Sequence, residues 1–170
     1  MTEKKYSFEH NQSELQDAEA LYSAQNSSLQ LITHLLGGVN TLGVKVNNML
    51  EFLQLTQIGL PINVLKHLQK HMKLTNRDMG KVLEISESTL QRRLKRGEKL
   101  DKRESEGTVQ LAEVWAKGIE VFNDEDDFRD WLRMNNTALG NYKPIDLLHS
   151  PIGRQEIKNI LTRIEWGLYS

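Results

Sequence analysis

The stretch from Thr75 to Gly97 constrains this chain more than any other. Two short amphipathic segments flank the turn Glu84–Ile85–Ser86. Thr75 is placed to cap the first, with Asp78 three residues on in a near capping box, and Ser86 is placed to cap the second. Gly97 then supplies a left-handed stop. Met79, Val82 and Leu83 recur at helical spacing in the first segment, Leu90 and Leu94 in the second. Leu90, Leu94 and Ile85 are therefore expected to pack against Met79 and Leu83, giving a helix, a three-residue turn and a helix. Glu84 stands where a turn glycine is common.

The rest of the chain reads in the same period, and no segment alternates as a strand would. An N-terminal arm over residues 1–30 is weakly periodic through Leu15, Ala18 and Leu21–Tyr22 and breaks at Gln25–Ser28. A short apolar helix is expected over Leu29–Leu36, stopped by Gly37–Gly38. Another is expected around Val44–Leu55, with Val46, Met49, Leu50 and Leu53 inward, ending near Gly59. Pro61 is suited to the first position of a helix that buries Ile62, Leu65 and Leu68. Beyond Gly97 a long helix spans Ser105–Phe122, with Val109, Ala112, Trp115 and Ile119 on one face. Asn123 is expected to cap a helix whose acidic first turn, Asp124–Asp127, suits the helix dipole and which buries Phe128, Trp131 and Leu132. After a turn at Leu139–Gly140–Asn141, Pro144 opens a short helix to Leu148. Ser150–Pro151 starts the last one, burying Ile157, Ile160, Leu161 and Ile164. The fold class is all-α, divided into residues 1–57 (a helical arm suited to dimerisation), 58–116 and 117–170.

A net charge of −1 conceals a strong polarity. Residues 62–103 carry a net +7 and residues 104–135 a net −6. The basic block can attract phosphates although the whole chain is nearly neutral, and a solvated helical face is the plainer account of the same charges. There are no cysteines, which excludes a disulfide scaffold, thiolate metal sites and a cysteine nucleophile and fits a reducing cytosol. No apolar run approaches membrane-spanning length, and the polar start lacks a secretory signal, so a cytoplasmic location is expected.

On the second helix of the Thr75–Gly97 unit, the face opposite Leu90 and Leu94 carries Ser88, Gln91, Arg92 and Lys95, flanked by Ser86, Thr89, Arg93 and Arg96. Arginine can bind guanine and glutamine adenine in bidentate fashion, while hydroxyls and lysine anchor phosphates. Ser88, Gln91, Arg92 and Lys95 are the expected base readers, with Arg77, Arg93 and Arg96 on phosphates. A degenerate module used only for protein contacts is the other reading of this face.

The C-terminal run Trp131–Leu132, Leu139–Gly140, Pro144, Gly153, Leu161 and Ile164–Glu165–Trp166–Gly167–Leu168–Tyr169–Ser170 resembles the toxin-binding domain of Xre/MbcA/ParS-type antitoxins, and the helix-turn-helix ahead of it fits that family. The resemblance covers roughly residues 58–170; Asn141 stands where a second glycine is frequent. It implies a RES-domain toxin as partner, an enzyme that consumes or transfers ADP-ribose from NAD, whose cleft the antitoxin's last segment covers. Glu165, Trp166, Gly167, Leu168, Tyr169 and Ser170 would make that contact, supported by Lys143, Arg154 and Arg163. It also implies operator DNA and a homodimer. Without the resemblance, Trp166, Leu168 and Tyr169 could simply fold back on the last helix, and a free-standing helix-turn-helix regulator is the alternative function.

Enzymatic chemistry is not expected. His67 and His71 have a metal-compatible spacing, but Leu68–Gln69–Lys70 between them lacks the glutamate base of a metalloprotease, and nearby lysines would repel a cation. Gly38–Lys45 departs from the phosphate loop, and Asp124–Asp127 lacks the ligand spacing and glycine of a calcium loop. No convergent set of nucleophile, base and orienting group can be named, and no metal or cofactor is expected.

Overall fold

Capping side chains set most of the helix boundaries. The computed structural model describes residues 23 and 26–168; the expected periodicity through Leu15, Ala18 and Leu21–Tyr22, and the tail residues Tyr169 and Ser170, lie outside the described residues. The first described helix, α1, runs over residues 26–35. It takes in 26–28, where a break was expected, because Leu29, Ile32, Leu35 and Leu36 bury one continuous stripe. Helix α1 stops at the glycine pair as expected, and a short α2, Gly38–Leu42, begins at the second glycine, with Gly37 before it at a φ of 92°.

Helix α3, Met49–Ile58, starts later than its apolar pattern predicts. Asn48 accepts the backbone N–H of Glu51 at 3.1 Å and the Glu51 carboxylate reaches back to the N–H of Asn47 at 2.8 Å, so the chain turns into the helix here. The predicted inward stripe is corrected as well. Val46 is buried as expected, ahead of the helix, but Met49, Leu50 and Leu53 are exposed, and α3 instead buries Phe52 and Thr56. Pro61 opens no helix. It sits in an isolated antiparallel bridge with Lys99, where Leu100 N–H donates to Leu60 O at 2.8 Å and Ile62 N–H to Glu98 O at 3.1 Å. Helix α4, Val64–Met72, begins beyond it.

The pair α5, Asn76–Leu83, and α6, Glu87–Arg96, falls where the sequence places it. Helix α7, Lys102–Phe122, starts three residues before expectation because Asp101 and Glu104 form a reciprocal capping box. Asp124, not Asn123, caps α8, Glu125–Arg133, by accepting from the N–H groups of Asp126 and Asp127; Asn123 closes α7 with a φ of 54°. A 3-10 turn, Thr137–Leu139, leads to α9, Pro144–Leu147, and α10, Pro151–Glu165. Asn141 takes a φ of 68°, the conformation that explains why glycine suits this place.

Helix α7 is the axis of the molecule. Leu111, Ala112, Val114, Trp115 and Ala116 are all buried, so it is apolar on more than the single face expected and is covered on several sides, by α3, α4, α5, α8 and α10. It runs unbroken through residue 117, so both halves of the chain share one core. Trp115 and Phe128 meet edge to face at 5.0 Å, and a side chain at Gly118 would strike the Phe128 ring at 2.3 Å. The acidic turn of α8 then ties back to α4. Glu125 pairs with His71 at 2.8 Å and accepts from the Trp115 indole at 3.3 Å, while Asp126 pairs with Lys73 at 2.7 Å. Among the described residues no helix is long and apolar enough to cross a membrane.

Candidate functional sites

Two surfaces stand out, one on α6 and one beyond α10. On α6 the inward face holds Leu90 fully buried, with Leu94 and Ile85 packed against the core. The close approach of α5 to the turn rests on Gly80, where a Cβ would lie 2.5 Å from the Ile85 carbonyl oxygen. Its carbonyl accepts the Ile85 N–H at 2.8 Å. The glycine this turn needs is therefore inside α5, a position the sequence reading passed over. Glu84, the expected departure, adopts a left-handed φ of 57° and its carboxylate pairs with Arg103.

The outer face of α6 presents Ser88, Gln91, Arg92, Lys95 and Arg96, all exposed, with Arg77 exposed on α5. Gln91 donates to Glu87 at 3.2 Å, and Arg96 lies 3.6 Å from Glu98. Three expected contacts have internal duties instead. Ser86 caps α6 through the Thr89 N–H at 3.2 Å and donates to the Thr89 hydroxyl at 2.8 Å. Arg93 is folded inward onto Glu104 at 2.6 Å, Glu98 at 3.4 Å and the Lys99 carbonyl at 2.8 Å, so it fixes α6 to α7 rather than reaching out for phosphate. The hydrogen bonds it donates to the Glu104 carboxylate hold its guanidinium above the usual arginine range. Lys66 and Asn76, which sequence reasoning did not single out, line a shallow groove with Gln91, Leu94 and Lys95 and extend the polar face toward α4.

At the other end, α10 closes in a Schellman stop. Leu168 N–H donates to Arg163 O at 2.8 Å, Gly167 N–H to Ile164 O at 2.9 Å, and Gly167 has a φ of 66°. An apolar residue after such a stop commonly packs back on the last turn. Here Leu168 is 67% exposed and Trp166 73% exposed, so the described part of the tail does not fold back. Glu165 is paired with Lys117 at 2.6 Å, which anchors the root of the tail to α7. Arg163 and Lys143 are exposed. Arg154, expected as a supporting surface contact, is corrected: it is 5% exposed, donating to Gln110 at 3.0 Å and to the Leu148 carbonyl. Burial pushes its guanidinium below the usual arginine range, with Glu84 partly opposing.

His67 and His71 turn to different partners, Thr41 at 3.1 Å and Glu125 at 2.8 Å. Among the described residues no group of three His, Cys, Asp or Glu side chains is placed to hold a metal ion.

Residues 48–113 match the model of the antitoxin Xre-like helix-turn-helix domain, and residues 117–167 that of the antitoxin Xre/MbcA/ParS C-terminal toxin-binding domain. Antitoxin Xre of Photorhabdus laumondii subsp. laumondii is 25% identical over 113 residues, 66% of this chain and 76% of that protein. Among solved structures, a chain of the M. tuberculosis MbcT-MbcA toxin-antitoxin complex is 18% identical, with a TM-score of 0.48 over 74% of this chain and 100% of its own length. The two family models lie end to end across most of the chain, which thus carries an antitoxin Xre-like helix-turn-helix domain followed by an antitoxin Xre/MbcA/ParS C-terminal toxin-binding domain.

Proposed function

We propose that this antitoxin neutralises a RES-domain, NAD-consuming or ADP-ribosylating toxin by laying its C-terminal segment, Trp166 to Ser170, into the toxin's cleft. The observation that carries this reading is the exposure of Trp166 and Leu168 beyond a well-formed helix stop. Large apolar side chains held in water have free energy to release on burial, on the order of 1.5–3 kcal/mol each. Gly167 gives the segment a joint, and the Glu165–Lys117 pair gives it a fixed root. Arg163 and Lys143 supply charge at the surface, while Arg154 supports the C-terminal half from within.

The same chain acts as repressor of its own operon through α6, with Ser88, Gln91, Arg92 and Lys95 reading bases and Arg77 and Arg96 gripping phosphates. A homodimer would set two recognition helices one helical turn of DNA apart. The outward face of α3, with Leu50, Leu53 and Ile58 exposed, is the surface suited to that contact.

Co-expression with the adjacent open reading frame tests the reading, comparing the full chain with one lacking Trp166–Ser170 and scoring growth and cellular NAD. Rescue by the full chain alone supports neutralisation by the tail. Rescue by both removes the tail mechanism and keeps neutralisation. A harmless neighbour leaves the free-standing DNA-binding regulator as the better reading.

A further inference from the structure

The seam between the two halves holds a cavity of about 220 Å³, lined by Leu83, Glu84 and Ile85 at the end of α5, by Gly107 and Gln110 of α7, and by Arg154 of α10. Arg154 is 5% exposed, and what exposure remains faces this cavity. Its Nε donates to Gln110 and its Nη1 to the Leu148 carbonyl, both neutral acceptors, whereas Nη2 finds no acceptor among the described residues. A buried guanidinium is costly without an anionic partner.

The carboxylates of the same lining are engaged elsewhere. Glu104 is held by Arg93 at 2.6 Å, Asp101 caps α7, Glu84 pairs with Arg103, and Glu106 faces Lys102 at 3.9 Å. Glu84 acts on Arg154 only through space, its carboxylate being held by Arg103, so Arg154 has no carboxylate hydrogen-bonded to it among the described residues and opens on a space well above the roughly 10–15 Å³ a single water needs. We propose that this cavity binds a small oxyanion, of the phosphate or carboxylate kind, with Arg154 Nη2 as its principal donor. The guest would touch the turn of the helix-turn-helix on one side and the helix bearing the tail on the other, joining the two halves at their seam. The proposal is independent of both the toxin and the DNA readings.

The test is a titration of the full chain with inorganic phosphate, and separately with acetate, at constant ionic strength, following the arginine side-chain N–H resonances. A saturable shift at Arg154 with either anion, absent at exposed Arg92, is the expected result, and the anion that saturates first names the chemistry. Gly107→Ala supplies a variant that keeps the fold. Its methyl would sit 3.8 Å from Arg154 Nη2 and 3.9 Å from Leu83 Cδ2, in ordinary contact, so it narrows the site without a clash. It should weaken binding several-fold, Arg154→Gln should abolish it, and Glu84→Gln should tighten it by removing a competing negative charge. No saturation at Arg154 overturns the proposal, as does an unchanged affinity in Gly107→Ala. If phosphate binds Glu84→Gln but not the native chain, Glu84 itself is the occupant and the proposal fails for the native protein.

Discussion

Helices α3 and α6 are both ten residues long and both lie half against the core, yet they present opposite chemistry to water. Helix α6 buries Leu90 and turns Ser88, Gln91, Arg92 and Lys95 outward. Helix α3 buries Phe52 and Thr56 and turns out Met49, Leu50, Leu53 and Ile58, the last at 66% exposure. A polar outward face is at home in solvent, so the face of α6 acquires meaning only from the convergence of its side chains. An apolar outward face is costly where it stands and calls for a partner. The two helices thus mark two kinds of surface: one that gains by meeting charge, one that gains by leaving water.

The contrast on α3 breaks most sharply with adjacent substitutions. Phe52→Ala empties a fully buried site and should cost about 3–5 kcal/mol of unfolding free energy. Leu53→Ala, one residue on, should change the stability of the isolated protomer by no more than about 0.5 kcal/mol. Chemical denaturation at dilute protein concentration reads both. If Leu53→Ala proves as harmful as Phe52→Ala in the monomer, α3 is packed the other way round.

The neighbours Arg92 and Arg93 divide the same way on α6. Arg93→Ala leaves Glu104 half-buried without its partner and should lower stability by about 1–3 kcal/mol. Arg92→Ala should leave stability alone and weaken operator binding by about 1–3 kcal/mol if it contacts a base. Thermal melts together with fluorescence anisotropy on operator DNA separate the two roles. An Arg93→Ala chain that melts normally but loses DNA would return Arg93 to the phosphate-gripping face.

Replacing Leu50 and Leu53 together by serine should weaken self-association by roughly tenfold, or about 1.4 kcal/mol, with the fold intact. Sedimentation equilibrium reads this, and an unchanged association constant would move the dimer contact off α3.

These pairs also show which parts of the fold were legible from the sequence. The α5–α6 unit could be read because caps, stop and apolar period agree with one another at Thr75, Ser86, Leu90 and Gly97. Helix α3 could not, since its apolar residues fit two faces and only the tertiary position of Phe52 against α7 decides between them. Pro61 misled for a related reason: its fixed φ suits an extended bridge as well as a helix start, and the bridge partner Lys99 is remote in sequence. Among site residues, exposed Arg92 and buried Arg154 look alike as letters. Gln110 and Leu148, which take Arg154 inward, lie on other helices, and no local pattern announces them. Gly80 carried a signal that could have been used, a glycine inside an otherwise regular helix beside a tight turn.

The smallest effect concerns the cap that starts the α5–α6 unit. The Thr75 hydroxyl donates to the Asp78 carboxylate at 2.7 Å and accepts the Asp78 N–H at 3.2 Å. The bond from Thr75 holds the Asp78 carboxyl below its ordinary value of 3.8, with Lys81 and Arg77 acting in the same direction. A carboxyl whose folded value is depressed binds its proton more readily in the unfolded chain. Its contribution to stability is therefore complete above the ordinary value and is lost as pH falls through the folded one. Asp78 is half-buried but its bond to Thr75 lies open to water, so the contribution is small, and Asp78→Asn should flatten only the most acidic part of the stability curve. Denaturant midpoints of the two chains measured from pH 6 downward should differ by a constant amount until the pH nears 4 and then converge. Midpoints that stay parallel through that range would mean the Thr75–Asp78 bond is not kept in solution, and the turn would then owe its position to Gly80 and Ile85 alone.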